Sequence, residues 1–567
     1  MKQKTALISV YNKESIVDFA KELVGLGWRI ISSGGTAKHL TDAGIKVTDV
    51  AEITGMPAIL SHRMVTLHPK IHGGLLAEDT PEHHAELEKY GIPWIDMVCC
   101  DLYPLEDEIK KYTPSVPTGD RDTSPYVGGG REGVLEKTDI GGPTMLRSGA
   151  KGGRIVICDI EDRNKVLEWL KSGEPDREEF INKLRAKTEI TISRYCLLSA
   201  KYHGQGNYES IFGEKIKDCA YGENAYQKPA IFYKNLNVKD EPLAMHNWKL
   251  IAGNPMSYNN LCDVDRMMQT MTHIGAGFEK NLGTVPFIAI GAKHGNACGA
   301  GTGESALDAV EKMLQGDLRA IFGGSVMLNF PVDEKIAEEL IHKFSPSGVR
   351  RLLDIVSAPS FTPEAVEILS RKKGKCRLLV NPSIEKAGLS SLDHTSRFRY
   401  VRGGFLTQPN YTFLPAIASA TEGVPETILQ DVILAWAVGC TSNSNTITIV
   451  KEGRLYGNGV GQQDRVGAAK LAIFRADEAA EFASNLEALP PLGGKVSKSA
   501  DLQNAVAHSD SFFPFPDAPE VLINRGIKTI FSTSGSVNDE EIMELCKAKG
   551  VNLILLPDAE ARGFYQH

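Results

Sequence analysis

Apolar and polar residues alternate with two different periods near the start of the chain. Residues 5–10 form a short apolar run typical of a buried strand, and residues 14–24 carry apolar side chains at helical spacing. The pattern predicts further strands over 28–32 and 45–47, with a helix between them. Strands and helices that alternate in this way predict an α/β fold with a mostly parallel sheet.

The whole chain is predicted to form two domains. At 567 residues it is too long for one ordinary core. A helical segment near 178–198 leads out of the first domain, and we place the boundary near residue 203, which gives domains 1–203 and 204–567. Beyond the boundary strands and helices alternate again, with no visible short repeat. The stretch 113–131, rich in Pro, Gly, Ser and Asp, is predicted to be a long loop.

One predicted strand near the middle of the chain ends in two ionisable residues. The apolar run 286–292 stops at Lys293 and His294, and a glycine-rich stretch follows as far as Gly301. Ligand sites in open α/β sheets lie just past strand ends, where a lysine and a histidine can be tuned for proton transfer. Glycines there would let a substrate approach the backbone. For a Lys-His pair alone, a polar strand end beside a tight turn is the simpler interpretation.

A second segment favours a binding site over that simpler interpretation. Residues 30–36 run from an apolar strand through Ser33, Gly35 and Thr36 into the helical pattern of residues 37–43. A helix entered through small hydroxyls and glycines offers backbone N–H groups and a positive dipole end to a phosphate. The two segments together indicate an enzyme of phosphorylated substrates.

Composition narrows the class of protein. A formal net charge of −8, with 63 basic residues spread thinly, argues against a nucleic-acid surface. No segment approaches the roughly 18 uninterrupted apolar residues of a membrane span, and the amino terminus lacks a signal-peptide pattern. The ten cysteines include no Cys-x-x-Cys pair. We therefore expect a cytoplasmic protein with reduced thiols that binds neither nucleic acid nor membrane.

The ordered set of motifs resembles the bifunctional family that joins AICAR formyltransferase to IMP cyclohydrolase, over nearly the whole chain. The first part carries Ser33-Gly-Gly-Thr-Ala-Lys38, Thr66-Leu-His-Pro-Lys-Ile-His72, Leu102-Tyr-Pro104 and Asp139-Ile-Gly-Gly142. The second part carries Tyr221-Gly-Glu-Asn224, Ser257-Tyr-Asn-Asn260, Lys293-His294, Phe322-Gly-Gly324, Val401-Arg-Gly-Gly404, Gly461-Gln-Gln463 and Phe512-Phe-Pro-Phe515.

This resemblance implies a specific α/β fold. The N-terminal domain would be a methylglyoxal-synthase-like doubly wound parallel sheet, and the larger C-terminal domain would consist of duplicated cytidine-deaminase-like α/β halves. Zinc deaminases carry a Pro-Cys-x-x-Cys signature that is absent here, so we expect no catalytic metal. The run Gly457–Gly461 lacks the context of a dinucleotide fingerprint, and we interpret it as a turn that substrate and folate approach.

The second domain would transfer a formyl group from the cosubstrate 10-formyltetrahydrofolate to the amine of AICAR, which gives FAICAR. That amine is a poor nucleophile, so the reaction needs a base, an oxyanion stabiliser and a proton donor. By resemblance His294 is the base, and Lys293 stabilises the oxyanion or delivers the proton. Asn445 would bind the formyl group and Asp354 the folate or its water. The substrate-binding residues implied in this domain are Tyr221, Asn260, Arg465, Phe513 and Arg562.

The first domain would close FAICAR to IMP with loss of water, a reaction in which orientation does much of the work. By resemblance Tyr103, Asp139 and Lys151 surround the base, where they would activate the carboxamide and bind the carbonyl. The implied phosphate-binding residues are Ser9, Lys13, Ser33, Gly35, Thr36, Arg63 and Thr66.

The chain departs from the family at positions that bear on both reactions. Val65 replaces an active-site lysine, and Tyr11 stands where a serine is usual. In the second domain the family's arginine, histidine, lysine and arginine are replaced by Ala220, Tyr226, Cys440 and Pro516.

Three hypotheses follow. The first is a bifunctional enzyme that completes IMP synthesis. The second is a formyltransferase whose first domain has lost cyclohydrolase activity, and the third makes that domain a nucleotide-binding regulatory module. Methylglyoxal synthase chemistry would leave the long second domain without a role. The resemblance also implies a homodimer, and it leaves open whether folate or formate donates the formyl group.

Overall fold

The computed structural model describes residues 3–60, 63–112, 131–345, 349–417, 424–487 and 499–565. All but the last residue of the predicted loop 113–131 lie outside these ranges. The chain divides into two compact units, Met1–Phe212 with Asn235–Asn237 and Gly213–Lys234 with Val238–His567.

The first unit is built on a five-stranded parallel sheet with strand order β3-β2-β1-β4-β5. The strands are β1 (Thr5–Ser9), β2 (Arg29–Ser32), β3 (Val47–Asp49), β4 (Met97–Cys100) and β5 (Ile155–Ile157). The helices are α1 (Ile16–Gly25), α2 (Gly34–Asp42), α3 (Val50–Thr54), α4 (Pro69–Leu76), α5 (Pro81–Tyr90), α6 (Leu105–Tyr112), α7 (Arg131–Glu136), α8 (Gly141–Lys151), α9 (Glu161–Lys171) and α10 (Arg177–His203). The predicted parallel sheet is confirmed.

The central strands of this sheet are buried on both faces. Ala6, Leu7 and Ile8 of β1 are each fully buried in one apolar core. A strand covered on both faces reads as a continuous apolar run, which is why the sequence pattern identified it. The carboxyl ends of β2, β1 and β4 are neighbours, so residues that follow these strands meet at one edge of the sheet.

The second unit contains an eleven-stranded mixed sheet with order β20-β19-β18-β16-β17-β10-β9-β11-β12-β13-β8. Its strands are β8 (Lys249–Ala252), β9 (Phe287–Lys293), β10 (Asn296–Gly303), β11 (Ser325–Leu328), β12 (Ile355–Ala358), β13 (Arg377–Val380), β16 (Ile447–Lys451), β17 (Arg454–Gly459), β18 (Val506–Ser509), β19 (Thr529–Ser534) and β20 (Asn552–Pro557). Two hairpins stand apart from it, formed by β6 (Gly213–Asp218) with β7 (Ile231–Asn235) and by β14 (Arg397–Val401) with β15 (Gly404–Gln408).

The helices of this part of the chain alternate with those strands. They are α11 (Tyr258–Leu282), α12 (Ala306–Leu314), α13 (Glu334–His342), α14 (Pro363–Leu369), α15 (Glu426–Cys440), α16 (Arg465–Glu487), α17 (Asp517–Asn524), α18 (Asp539–Ala548) and α19 (Asp558–Ala561). Short 3₁₀ helices cover Met245–Asn247, Lys372–Gly374, Pro382–Lys386 and Leu389–Ser391.

Ten of the eleven strands of the large sheet form two halves with the same topology, and β8 is an additional edge strand that pairs antiparallel with β13. Each half begins with an antiparallel hairpin, β9–β10 in one and β16–β17 in the other. A strand antiparallel to the first hairpin strand follows, and then two parallel strands complete the half. The halves join through antiparallel pairing of β10 with β17. This repeat of topology agrees with the two related α/β halves that the resemblance implied.

Helices cover both faces of this sheet. Ile288 and Ile290 of β9 lie in the core under α11 and α15, whereas Ala289 between them lies in the core under α12 and α13. The matching core of the second half packs β16 and β18 against α16, α17 and α18. The side chains therefore alternate between two apolar layers, as a central strand requires.

The glycines of the two hairpins serve helix packing. A Cβ atom on Gly299 or Gly301 would overlap backbone atoms of α12, and one on Gly457 or Gly459 would overlap backbone atoms of α16. The glycine-rich stretch after His294 is thus a strand under a tightly packed helix. The predicted turn over Gly457–Gly461 is wrong for Gly457 and Gly459, which lie within β17, whereas Gly461 follows the strand with a φ of 67°.

Candidate functional site

Lys293 and His294 stand at the tip of the β9–β10 hairpin. His294 and Gly295 occupy the two central positions of a tight turn, with φ of 52° and 75°. Both side chains of the Lys-His pair are exposed, and the Lys293 Nζ donates a hydrogen bond to the Phe322 carbonyl at 3.3 Å. Positive φ at both central positions is typical of hairpins whose twist matches the flanking strands. The turn thus presents the two side chains outside the sheet.

An aspartate on α11 lies against this turn. Burial raises the pKa of Asp263 to about 6, and repulsion from Asp354 adds to the rise. His294 and the backbone N–H of Gly295 act in the opposite direction. In the other half, the Asp431 carboxylate accepts hydrogen bonds from the backbone N–H groups of Glu452 at 2.8 Å and Gly453 at 2.6 Å. Each half therefore uses the sixth residue of a helix to hold its hairpin turn.

Asp354 is held by two partners. The Asn260 amide donates to its carboxylate at 2.8 Å, and Arg377 forms an ion pair with the other carboxylate oxygen at 2.8 Å. Asn260 lies in the first turn of α11, where it also forms a capping box with Ser257. The carbonyl of Tyr221 accepts a hydrogen bond from the backbone N–H of Tyr258 at the same helix end. The structure thus brings Tyr221, Asn260 and Asp354 together.

A buried arginine joins the turn to the segment that contains Asn445. Arg266 donates to the side-chain oxygen of Asn296 at 3.0 Å, to that of Asn443 at 3.1 Å and to the Thr441 carbonyl at 3.1 Å. Burial lowers its pKa. Asn445 itself donates to the Gln462 carbonyl at 3.0 Å. The loop before β16 and the loop after β17 are therefore tied to the hairpin that carries His294.

A cavity of ≈ 480 Å³ opens beside the turn. Lys293, His294 and Asn296 line one part of it, and Tyr456 and Asn458 of β17 line another. This volume lies in the usual range for a small-molecule site, about 300 to 1,000 Å³. A small molecule in this cavity would lie against the Lys-His pair.

The remaining predicted residues of this unit lie near the chain end or in the core. Arg465 forms a buried ion pair with Asp510 and donates to Ser509 at 3.2 Å. Arg562 pairs with Asp558. Phe513 is 2% exposed and belongs to the core of the second half, whereas Phe515 is 59% exposed. The rings that the segment exposes are therefore that of Phe515 and, in part, that of Phe512.

The first unit has an anion-binding geometry at the carboxyl edge of its sheet. Ser9 ends β1 and Ser33 precedes α2, with no hydrogen bond from its side chain to the helix. Lys13 donates to the Thr36 hydroxyl at 3.0 Å, and burial lowers the pKa of Lys13 although Asp101 opposes the shift. The start of α2, with Gly35, thus lies beside an ammonium group. Backbone N–H groups, hydroxyls and a cation are the groups that bind phosphate.

Tyr103 and Asp139 form a second cluster in this unit. Burial raises the pKa of Asp139 although the backbone N–H groups of Gly142, Gly141 and Tyr103 oppose the rise. Burial also raises the pKa of Tyr103, and Asp139 adds to it. The Tyr103 ring meets the Tyr11 ring edge to face, with centroids 5.5 Å apart. A buried carboxyl next to a phenol is a suitable pair for proton exchange with a substrate.

Three further predicted residues of this unit are Thr66, Arg63 and Lys151. Thr66 is buried, and a Cβ atom on Gly141 would lie 3.0 Å from its hydroxyl. Arg63 forms an exposed ion pair with Glu136. Lys151 is the last residue of α8, whose first turn follows Asp139, so the two ends are separated by about 15 Å of helix. The structure does not bring Lys151 beside Asp139, and its assigned role stays a prediction.

The described ranges contain neither a metal-binding cluster nor a membrane-spanning helix. Among those residues, no group of three or more His, Cys, Asp or Glu side chains is placed to hold a metal ion. No helix in the same ranges is long and apolar enough to cross a membrane.

Comparison with known proteins identifies the family. Residues 153–475 match the family model described as "AICARFT/IMPCHase bienzyme", and residues 15–116 match the one described as "MGS-like domain". The bifunctional purine biosynthesis protein PurH of Oceanobacillus iheyensis is 35% identical over 565 residues, which cover 97% of this chain and 98% of that protein. PurH of Lysinibacillus sphaericus is 36% identical over 561 residues, with the same coverage of both chains.

The chain belongs to the AICARFT/IMPCHase bienzyme family. A solved structure described as a crystal structure of ForH is 31% identical and covers 36% of this chain and 100% of its own. Its TM-score is 0.30, which is too low to support an argument about the fold.

The departures from the AICARFT/IMPCHase pattern lie in different surroundings. Val65 is half-buried next to Thr66, and Tyr11 is 53% exposed against Tyr103. Cys440 is a buried thiol at the end of α15, whereas Tyr226 is 83% exposed. Pro516 immediately precedes α17. Of these positions, Tyr11 contacts the Tyr103 ring, and Val65 precedes Thr66, whose hydroxyl lies near Gly141.

Sequence reasoning missed several residues that shape the two sites. In the second unit they are Asp263, Arg266 and Asn296, and in the first they include Asp101 and Tyr195. Asp101 receives the backbone N–H groups of Tyr11 and Asn12 and lies 3.6 Å from the buried Arg163. The hydroxyl of Tyr195 accepts the Asp139 backbone N–H at 2.6 Å. Each of these residues acts through a contact with a residue distant in sequence, and a local sequence pattern does not predict such contacts.

Proposed function

We propose that this enzyme carries out the last two steps of de novo IMP synthesis. It transfers a formyl group to AICAR and then cyclises FAICAR to IMP. Membership of the AICARFT/IMPCHase family and full-length similarity to bifunctional PurH proteins support both steps. No comparison favours the alternative of a formyltransferase with an inactive or regulatory first domain.

Formyl transfer is assigned to the second unit, with 10-formyltetrahydrofolate as cosubstrate. His294 takes the proton from the attacking amine, and Lys293 stabilises the oxyanion or protonates the departing nitrogen. Asn445 binds the formyl group. Asp354, held by Asn260 and Arg377, binds the folate or its water, while Tyr221, Arg465 and Arg562 contribute to substrate binding. The cavity beside the Lys-His turn supports this assignment. Phe515 takes the place of Phe513 among the proposed substrate-binding residues, because the Phe513 ring is buried and the Phe515 ring is exposed.

Cyclisation is assigned to the first unit. Ser9, Lys13, Ser33, Gly35 and Thr36 anchor the phosphate at the start of α2. Arg63 and Thr66 complete that cradle. Tyr103 and Asp139 then exchange protons with the carboxamide and the carbonyl, a role that the raised pKa values of both groups support. Lys151 belongs to the proposal only if the bound substrate reaches the far end of α8.

The Lys-His hairpin at the mouth of a cavity is the observation that best supports formyl transfer. The experiment supplies each half-reaction separately to the full-length protein. AICAR with 10-formyltetrahydrofolate tests the second unit, and FAICAR alone tests the first. Formation of FAICAR or IMP in the first assay and of IMP in the second supports the proposal. Replacement of the folate by formate and ATP in the first assay identifies the donor, and we expect no product with formate.

The domain boundary, the oligomeric state and the location complete the proposal. We assign residues 1–203 to the cyclohydrolase and 204–567 to the formyltransferase. We also propose a cytoplasmic homodimer. Apolar side chains on the separate β14–β15 hairpin support self-association, since Tyr400 is 80% and Leu406 is 58% exposed. Sedimentation of the purified protein tests the dimer.

A further inference from the structure

The cavity beside the Lys-His turn carries two arginines to which the proposed chemistry gives no role. Arg319 lies in the loop after α12, and Arg475 lies on α16. With Lys293 they place three cations on the cavity wall, whereas the carboxylate on that wall is that of Asp317. The lining therefore has an excess of positive charge, which favours an anionic ligand group.

The backbone fixes the loop that carries Arg319. At one end the Asp317 N–H donates to the Cys298 carbonyl at 2.8 Å. At the other end the Phe322 carbonyl accepts the hydrogen bond from Lys293 at 3.3 Å. Between them the Asp317 carboxylate accepts the N–H of Arg319 at 3.2 Å. Arg319 thus occupies a defined position next to the proposed reaction centre.

Both guanidinium groups are only partly engaged. Arg319 pairs with Glu478 at 2.5 Å, and Arg475 lies 3.7 Å from Asp317, beyond hydrogen-bond reach. Each arginine side chain keeps 46% of its exposure. A guanidinium has five N–H donors in a planar fork that matches carboxylate and phosphate oxygens. These two side chains can therefore bind a ligand oxyanion without losing their positions.

We propose that Arg319 and Arg475 form a subsite for the oxyanion group of a formyl-transfer substrate. The inference rests on the proposed function and adds the recognition of one charged group. Two substrates carry such a group, namely the glutamate carboxylates of the folate and the phosphate of AICAR. The phosphate is a candidate because Ala220 stands where the family has an arginine. The experiment separates the two sources.

The test compares Arg319→Gln, Arg475→Gln and the double variant with the wild-type enzyme. KM is measured for AICAR and for 10-formyltetrahydrofolate with one and with three glutamates. Loss of one charge-assisted hydrogen bond predicts a KM about tenfold higher for one substrate, with kcat nearly unchanged. A rise confined to the folates, larger for three glutamates, assigns the carboxylates. A rise confined to AICAR assigns the phosphate. Unchanged KM values for both substrates overturn the proposal.

Glu478→Gln is the matched control. It removes the carboxylate that competes for Arg319, so the KM that rises in Arg319→Gln should fall in Glu478→Gln. Damage to the packing of α16 would raise KM in both variants, and that result would overturn the proposal. Arg319→Lys keeps the charge but loses the fork, and an intermediate KM is expected. Thermal unfolding curves confirm that each variant is folded.

The outcomes also separate this inference from the proposed function. A wild-type enzyme that turns over both substrates, with variants of unchanged KM, rejects the subsite alone. A wild-type enzyme inert toward AICAR and 10-formyltetrahydrofolate rejects the proposed function. In that case equilibrium binding of each substrate to wild type and double variant still decides the subsite: weaker binding to the variant supports it, and equal binding rejects it.

Discussion

The side-chain amide of Asn260 donates a hydrogen bond of 2.8 Å to the carboxylate of Asp354 across 94 residues of sequence. Both residues were predicted as site residues from separate motifs. Arg377, with a side chain only 12% exposed, holds the second oxygen of the same carboxylate. A carboxylate fixed at both oxygens keeps its orientation, as a group that binds one substrate atom must. The contact ties the residue that precedes β12 to the first turn of α11.

Two substitutions of Asp354 should impair formyl transfer to different extents. Asp354→Asn keeps an acceptor for Asn260 but loses the ion pair with Arg377, and we expect kcat/KM to fall about tenfold. Asp354→Ala leaves both partners unmatched, and we expect a fall of about a hundredfold. The rate at which supplied FAICAR forms IMP is the internal control, since it should not change. Equal losses in both reactions would indicate unfolding instead.

The duplicated hairpins provide a control for the proposed base. His294→Ala should lower formyl transfer by about a hundredfold or more, the usual effect of losing a general base. Glu452 occupies the same turn position in the other half, with φ of 55° against 52° for His294. Glu452→Ala should therefore leave the rate near normal. If the two variants lost activity equally, the effect would come from the turn backbone and His294 would not be the base.

The stability of the second unit should depend on pH through Asp431. Burial raises the pKa of this carboxyl from 3.8 to about 6, although the N–H groups of Gly453 and Glu452 oppose the rise. The folded state therefore holds the proton more tightly than the unfolded state. The resulting stabilisation is complete below about pH 4 and is lost as pH rises through 6; a shift of this size corresponds to at most about 3 kcal/mol.

Asp431→Asn removes that pH dependence, because asparagine does not titrate. The unfolding temperature of the wild type minus that of the variant should therefore decrease from pH 4 to pH 7. A difference that stays constant over this range would show that Asp431 has no raised pKa in the folded protein.

Val65 offers a test of the cyclohydrolase. If the missing ammonium group limits ring closure, Val65→Lys should raise the rate of IMP formation from FAICAR and leave formyl transfer unchanged. The exposed Tyr11 ring packs on Tyr103, so the double variant with Tyr11→Ser provides the space that the family gives to serine. Should neither variant exceed the wild type, Val65 is a tolerated substitution and Tyr103 with Asp139 suffices.

Elements with a strong local pattern were predictable from the sequence. The strand predicted over 5–10 is observed as Thr5–Ser9, and the helix predicted near 178–198 extends over Arg177–His203. The strand predicted over 286–292 is shifted by one residue, to Phe287–Lys293. Its surroundings were not predictable, because a carboxyl edge of a parallel sheet and a hairpin tip both begin with an apolar run. The pairing partner decides between them, and it lies outside the local sequence.

The two halves of the large sheet share a weak sequence pattern. Glycines recur at alternate positions in β10 and β17, as Gly299 with Gly301 and as Gly457 with Gly459. They correspond in the two halves, and each pair lets a helix pack directly on the strand. A repeat of two glycines across 158 positions is too weak for a single sequence to reveal. The contact of Arg266 with Asn443 was not predictable either, because the two residues lie 177 positions apart in the sequence.

The proposed function requires that one chain converts AICAR to IMP. The most direct measurement incubates the purified full-length protein with AICAR and 10-formyltetrahydrofolate and separates AICAR, FAICAR and IMP over time. We expect transient FAICAR followed by IMP in an amount equal to the AICAR consumed, and product formation slower by about a hundredfold or more with His294→Ala. Accumulation of FAICAR without IMP beyond the rate of its spontaneous closure, or no loss of AICAR at all, would contradict it.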